Sequence, residues 1–243
     1  MSSQMTFQSI LGKFSAGIEI LKGIVGYNPL KSILQITQLE KTKTDAEAAN
    51  AKVLTAASRL QNLRNQRRAI SFSCKEADTN CIENLIRNIA SYIKAELGSK
   101  HTAFIKIDSI LKKFKPPKEK KEEIKEGEVP KKSISQSEKS YESLVGFATD
   151  VYTVISELGA SYNPSNTNLA AANFKTKVDE LTALNAEVIK AESAFGSAVQ
   201  ERYEIYNGEV GINSIVSSVK NYLASLEGGK NNPSYKAYLN AVK

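Results

Sequence analysis

The sequence predicts an all-α protein, built as a tandem duplication of a four-helix unit (short, long, short, short) in an elongated helical bundle. Three observations predict it. The composition is rich in Ala, Leu, Ile, Lys, Glu and Ser, with no Trp, 7% aromatic residues, 13 Gly and 6 Pro, a mixture that favours helix and disfavours an all-β fold. Apolar residues recur at steps of three and four along most of the chain. Tyr-Asn-Pro is written twice, at 27–29 and 162–164, and the offset of 135 residues between the copies holds without a gap over 46 positions.

Twelve of those 46 positions are identical, among them Tyr27/Tyr162, Asn28/Asn163, Pro29/Pro164, Asn50/Asn185, Val53/Val188 and Arg67/Arg202. Leu39/Phe174, Leu54/Ile189 and Leu60/Phe195 keep apolar character, as two copies of one fold would. Upstream, "FQSILGKF" (7–14) resembles "YESLVGF" (141–147). Downstream, "IENLIRNIASYIKAELG" (82–98) resembles "INSIVSSVKNYLASLEG" (212–228) at a shift of 130, so the first copy holds five extra residues, within "CKEADTNC".

The elements follow in order. Helix one is expected at about 5–25 and 137–158, with apolar stripes through Phe7, Ile10, Leu11, Phe14, Ile18, Leu21 and Ile24/Val25 and through Tyr141, Leu144, Val145, Ala148, Val151, Ile155 and Leu158. Helix two is expected to run from each Asn-Pro to about 71 and 206, roughly 43 residues or about 64 Å. There Asn would accept a first-turn N–H and Pro would sit where no donor is needed. In the second copy "NPSNTN" could instead form a turn, with Asn166 capping a helix three residues on. Helix three is expected at about 80–97 and 210–226, closed by Gly98 and Gly228. Helix four is expected at about 102–114 and 233–243, the latter opening on another Asn-Pro.

The domain reading is therefore 1–114 and 137–243 as helical repeats. Residues 115–136 form a Lys/Glu/Pro linker too poor in large apolar residues to offset its ordering entropy. The net charge of +7 is uneven. Residues 1–114 carry 17 Lys/Arg against 9 Asp/Glu and residues 138–243 carry 9 against 12, so a basic and a mildly acidic half could attract each other. The N-terminal stretch lacks the pattern of a signal peptide, and no apolar run approaches the roughly 20 residues that span a bilayer. The expected compartment is the cytoplasm, by default.

Asn50, Asn185, Arg67 and Arg202 are polar residues on or beside the apolar stripe, kept in both copies where most surface residues differ. Structural roles are expected ahead of ligand binding: an asparagine in a helical seam fixes register, and an arginine caps carbonyls or pairs with a carboxylate. Cys74 and Cys81 could form a disulfide across the inserted loop, which a reducing cytoplasm would keep open. They lack companions for a zinc site, since His101, the sole histidine, lies twenty residues on. No GxSxG, Gly-rich phosphate loop, HExxH or DxDxDG motif appears, so no enzyme, cofactor or small-molecule substrate is expected.

Binding to nucleic acid or an anionic membrane surface is the competing reading. Arg59, Arg64 and Arg68 end the first long helix, and Lys112 and Lys113 open a second basic cluster. The second copy replaces the three arginines with Ala194, Val199 and Tyr203, which argues against a mechanism shared by the repeats.

The two Tyr-Asn-Pro motifs, the second as "YNPSN", each lead into a long Ala-rich helix with content like "LTALNAEVIKAESAFGSAVQER". In this the chain resembles an uncharacterised group of bacterial helical proteins of similar length. The resemblance covers most of the chain and is most specific around 162–206, whereas the first copy departs from "YNPSN". It implies an architecture and no catalytic residues, cofactor or substrate. The expected function is a non-enzymatic structural or scaffolding protein, with self-association or protein partners.

Overall fold

The computed structural model describes residues 3–72, 80–114 and 140–243. Among the described residues the chain is all-helical, with no strand. The helices are α1 (Ser3–Lys22), α2 (Ile36–Ser71), α3 (Ile82–Leu97), α4 (Thr102–Phe114), α5 (Tyr141–Glu157), α6 (Ala171–Asn207), α7 (Ile212–Ala224) and α8 (Pro233–Ala241). None of them is long and apolar enough to cross a membrane. The 115–136 linker of the sequence reading lies outside the described residues.

The long helices start later than expected. α2 and α6 have 36 and 37 residues and begin at Ile36 and Ala171, each preceded by a single 3-10 turn, Ser32–Leu34 or Thr167–Leu169. The tyrosine of each Tyr-Asn-Pro explains the delay. The Tyr27 hydroxyl donates to Leu34 O at 2.7 Å, and the Tyr162 hydroxyl donates to Leu169 O at 2.7 Å. Each phenol thus bridges seven residues and satisfies a carbonyl just before the helix, so the segment closes as a turn instead of extending the helix backwards. Asn166 Oδ1 accepts the Asn168 N–H at 3.1 Å and caps the second 3-10 turn. The expected Asn-Pro cap is found at α8, where Asn232 accepts the Ser234 N–H at 2.8 Å and Pro233 occupies the first position. Gly98 closes α3 at φ 91°, whereas α7 ends earlier than expected, at Ala224, and Gly228 (φ 84°) starts a 3-10 turn.

The contacts divide the chain into two compact units. One comprises Met1–Gln61 with Lys190–Lys243, the other Asn62–Ile189. Each unit draws on both sequence halves, because the divisions fall inside α2 and α6. The core of the first unit joins Leu11, Phe14, Ile18 and Leu21 of α1 to Ile212, Ile215, Val219 and Leu223 of α7 and to Tyr238 of α8. α1 meets α8 at Gly17, where an added Cβ would stand 2.9 Å from both Tyr238 Cε2 and Val242 Cγ1. The core of the second unit joins Leu144, Phe147, Val151 and Ile155 of α5 to Ile82, Ile86, Ile89 and Ile93 of α3 and to Ile107 of α4.

Candidate functional site: two polar nodes and their grooves

The four polar residues singled out in the sequence gather into two nodes, one per unit, and each node joins an asparagine from one sequence half to an arginine from the other. In the first unit, Asn50 of α2 donates through Nδ2 to the Tyr206 hydroxyl of α6 at 2.8 Å. One turn before Tyr206, the Arg202 guanidinium stacks over the Phe7 ring at 4.4 Å, and Phe7 in turn packs on Tyr206 at 4.7 Å. Asn50 and Arg202 are 7% and 4% exposed. Burial pushes the Tyr206 hydroxyl above its ordinary pKa, while the Asn50 bond and the Arg202 charge pull it back and Glu47 adds to the rise.

The second unit repeats the plan with different chemistry. Asn185 of α6 donates through Nδ2 to the Tyr141 carbonyl at 3.2 Å, and the Arg67 guanidinium of α2 lies 3.8 Å over the Tyr141 ring. At the 135-residue offset, Ser71 stands where the first node has Tyr206. Its hydroxyl donates to the Arg67 carbonyl at 2.7 Å and turns back on its own helix. With no phenol reaching across, Asn185 and Arg67 are only half-buried. Phe72 supplies the ring against Tyr141, at 5.3 Å. Among the described residues no hydrogen-bond partner meets Asn50 Oδ1, Asn185 Oδ1, Arg67 Nε, or Arg202 Nε and Nη1. The same two atoms, an amide oxygen and an Nε, are left over in both nodes.

A shallow groove opens beside each node. The groove of the first unit, 440 Å³, runs between α1 and α2 past Leu11, Gly12, Glu47, Asn50 and Leu54. That of the second, 460 Å³, runs between α5 and α6 past Arg67, Tyr141, Val145, Asn185 and Ile189. Glu47, Asn50, Ala51 and Leu54 correspond by offset to Thr182, Asn185, Ala186 and Ile189, so the walls match position by position. Leu54 is 53% exposed and Ile189 65%. An aliphatic side chain kept at an exposed site in both halves contributes little to either core. The sequence comparison pairs Leu54 with Ile189 as positions that keep apolar character. The Phe7/Tyr141 lids were missed, although the upstream alignment places them opposite each other.

Of the candidate anion-binding residues, Arg64 and Arg68 are exposed and one turn apart on α2. Lys112 is tied to Asp108 at 2.7 Å, and Lys113 sits 5.2 Å from the centre of the Phe147 ring. Cys74 lies outside the described residues, so the Cys74–Cys81 disulfide does too. Cys81 is buried directly before α3. His101 accepts the Ala103 N–H through Nδ1 at 3.2 Å at the start of α4. No group of three or more His, Cys, Asp or Glu residues that could hold a metal occurs among the described residues.

Compared with family models, with characterised proteins and with solved structures, the chain gives no match.

Proposed function

We propose that this chain is a non-enzymatic helical scaffold that associates with further copies of itself, and that it arose by tandem duplication of one helical unit. The duplication is supported by pairs of equivalent features: the Tyr27 and Tyr162 bridges, the two Asn–Arg nodes and the two grooves edged by Leu54 and Ile189. The observation that carries self-association is that each core takes helices from both sequence halves. One half therefore presents an apolar face that fits the other, and the same face fits the other half of a second chain. The basic and acidic halves add an attraction that salt screens.

Light scattering and sedimentation velocity over a rising concentration series test the proposal. Species at multiples of 26.6 kDa are expected, more abundant at low than at high salt. A monomer at every concentration and salt rejects it. The second reading, an anionic-surface binder, is favoured by the exposed Arg64 and Arg68 pair on α2. It predicts binding to DNA, RNA or anionic vesicles at about 50 mM salt, where phosphate contacts are strongest.

A further inference from the structure

The turn between α1 and α2 carries two aliphatic side chains left wholly in solvent, Val25 at 101% and Leu30 at 100% exposure. Scattered exposed apolar residues are ordinary, but this chain contains its own control. At the 135-residue offset the same positions are Ala160 and Ser165, both exposed, in the turn between α5 and α6. Both turns are bridged by the same tyrosine-to-carbonyl bond. The turn therefore closes without Val25 or Leu30.

Charge departs in the matching direction. Residues 20–39 contain Lys22 and Lys31 and no acid, whereas residues 155–174 contain Glu157 and no base. Lys22 occupies both flanking carboxylates, Glu19 at 2.8 Å and Glu40 at 2.7 Å. Lys31 is exposed and makes no ion pair among the described residues. The turn thus carries two bare aliphatic side chains, with the unpaired Lys31 directly after Leu30, and Leu30 and Lys31 edge one recess against Ser218, Asn221 and Tyr222 of α7. Its base is fixed: Tyr27 packs edge-on against Tyr222 of α7 at 5.3 Å, and the Asn28 N–H donates to the Tyr222 hydroxyl at 3.3 Å.

A protein-docking centre is typically an aromatic or arginine anchor seated in a pocket. Aliphatic side chains projecting from a held turn, with a lysine beside them, instead suit an anionic bilayer. There the aliphatics enter the boundary between headgroups and acyl chains, and the lysine meets lipid phosphate. We infer that the α1–α2 turn is a membrane-docking tip that inserts Val25 and Leu30 into the surface of an anionic bilayer and places Lys31 on its headgroups. The inference stands apart from self-association and gives the anionic-surface reading a different set of residues.

Co-sedimentation of the full chain with phosphatidylcholine vesicles, with and without phosphatidylserine, tests it. The double variant Val25→Ala, Leu30→Ser installs the residues that the second turn already uses, so folding is retained, as circular dichroism will verify. Wild type is expected to bind the phosphatidylserine vesicles in preference to the neutral ones. The double variant should bind about tenfold more weakly. Lys31→Asn should lose about fivefold at low salt. The inference is overturned if wild type ignores phosphatidylserine vesicles, if the double variant binds as well as wild type, or if only Arg64→Ala, Arg68→Ala reduces binding. Selective retention of an acidic protein with no vesicle binding also overturns it. Sedimentation velocity of the double variant, unchanged from wild type, keeps this result separate from self-association.

Discussion

At Arg202 a guanidinium that is 4% exposed makes no ion pair among the described residues, and its Nε and Nη1 lack hydrogen-bond partners. The Phe7 face compensates part of that charge, but an ammonium-sized charge removed from water without a carboxylate costs several kcal/mol. The linear apolar side chain of methionine fits a similar volume, so Arg202→Met should hold or raise the Tm. A fall equivalent to more than about 2 kcal/mol would show that the guanidinium is fully satisfied in solution. The buried tyrosines give a second residue-scale prediction. Burial, and secondarily Tyr222, pushes the Tyr27 hydroxyl from 10.0 up to about 12, and burial also raises Tyr162 and Tyr238. A pKa raised in the folded state means that the unfolded chain loses the proton first. The stabilisation is complete below about pH 10 and is lost as pH rises from there towards 12. Thermal melts should therefore be flat to about pH 9.5 and fall steeply above it, and Tyr27→Phe should flatten part of that slope. Tyrosinate absorbance, followed in the same titration, checks that the loss of structure and the ionisation coincide.

At the scale of elements, most of the helices were legible in the sequence because burial on one face writes a period of 3.6 into residue choice. The stripe through Leu11, Phe14, Ile18 and Leu21 is the α1 face of the first core, and that through Leu144, Val151 and Ile155 is the α5 face of the second. The starts of α2 and α6 were not legible. Asn-Pro is a strong local signal for a helix entry, and it acts as one at Asn232–Pro233. At 28–29 and 163–164 a side-chain bond of a neighbouring residue overrides it, and nothing in a tyrosine's local sequence says that its hydroxyl will close a turn seven residues on. Partnership between helices was hidden for a related reason. Periodicity shows that a face is buried and leaves open what covers it, so α1 carries the same signal whether it packs on α3 and α4 or, as found, on α7 and α8. Of the candidate site, the identities of Asn50, Asn185, Arg67 and Arg202 came from the repeat offset. Their pairing across halves and the exchange of Tyr206 for Ser71 came only with the structure.

For the whole molecule, cores drawn from both halves make the covalent link between them dispensable. Leu11, Phe14, Ile18 and Leu21 of the first half are each at most 5% exposed against the second half's α7 and α8, and Leu144, Val151 and Ile155 of the second half are buried against the first half's α3 and α4. At roughly 1.5–3 kcal/mol for each large apolar side chain buried, separation would expose faces worth well over 10 kcal/mol in total. A chain with a protease site placed within 115–136 should therefore keep its helical circular dichroism after cleavage. Its two fragments should leave a sizing column together and part only in denaturant, with a midpoint that now depends on protein concentration. Two fragments that elute separately, each compact and helical, would mean that each half can form a core of its own in solution. That outcome would remove the physical basis for exchange of halves between chains, and self-association would then have to rest on the outer surfaces, of which the grooves beside Leu54 and Ile189 are the first to test by Leu54→Asp and Ile189→Asp.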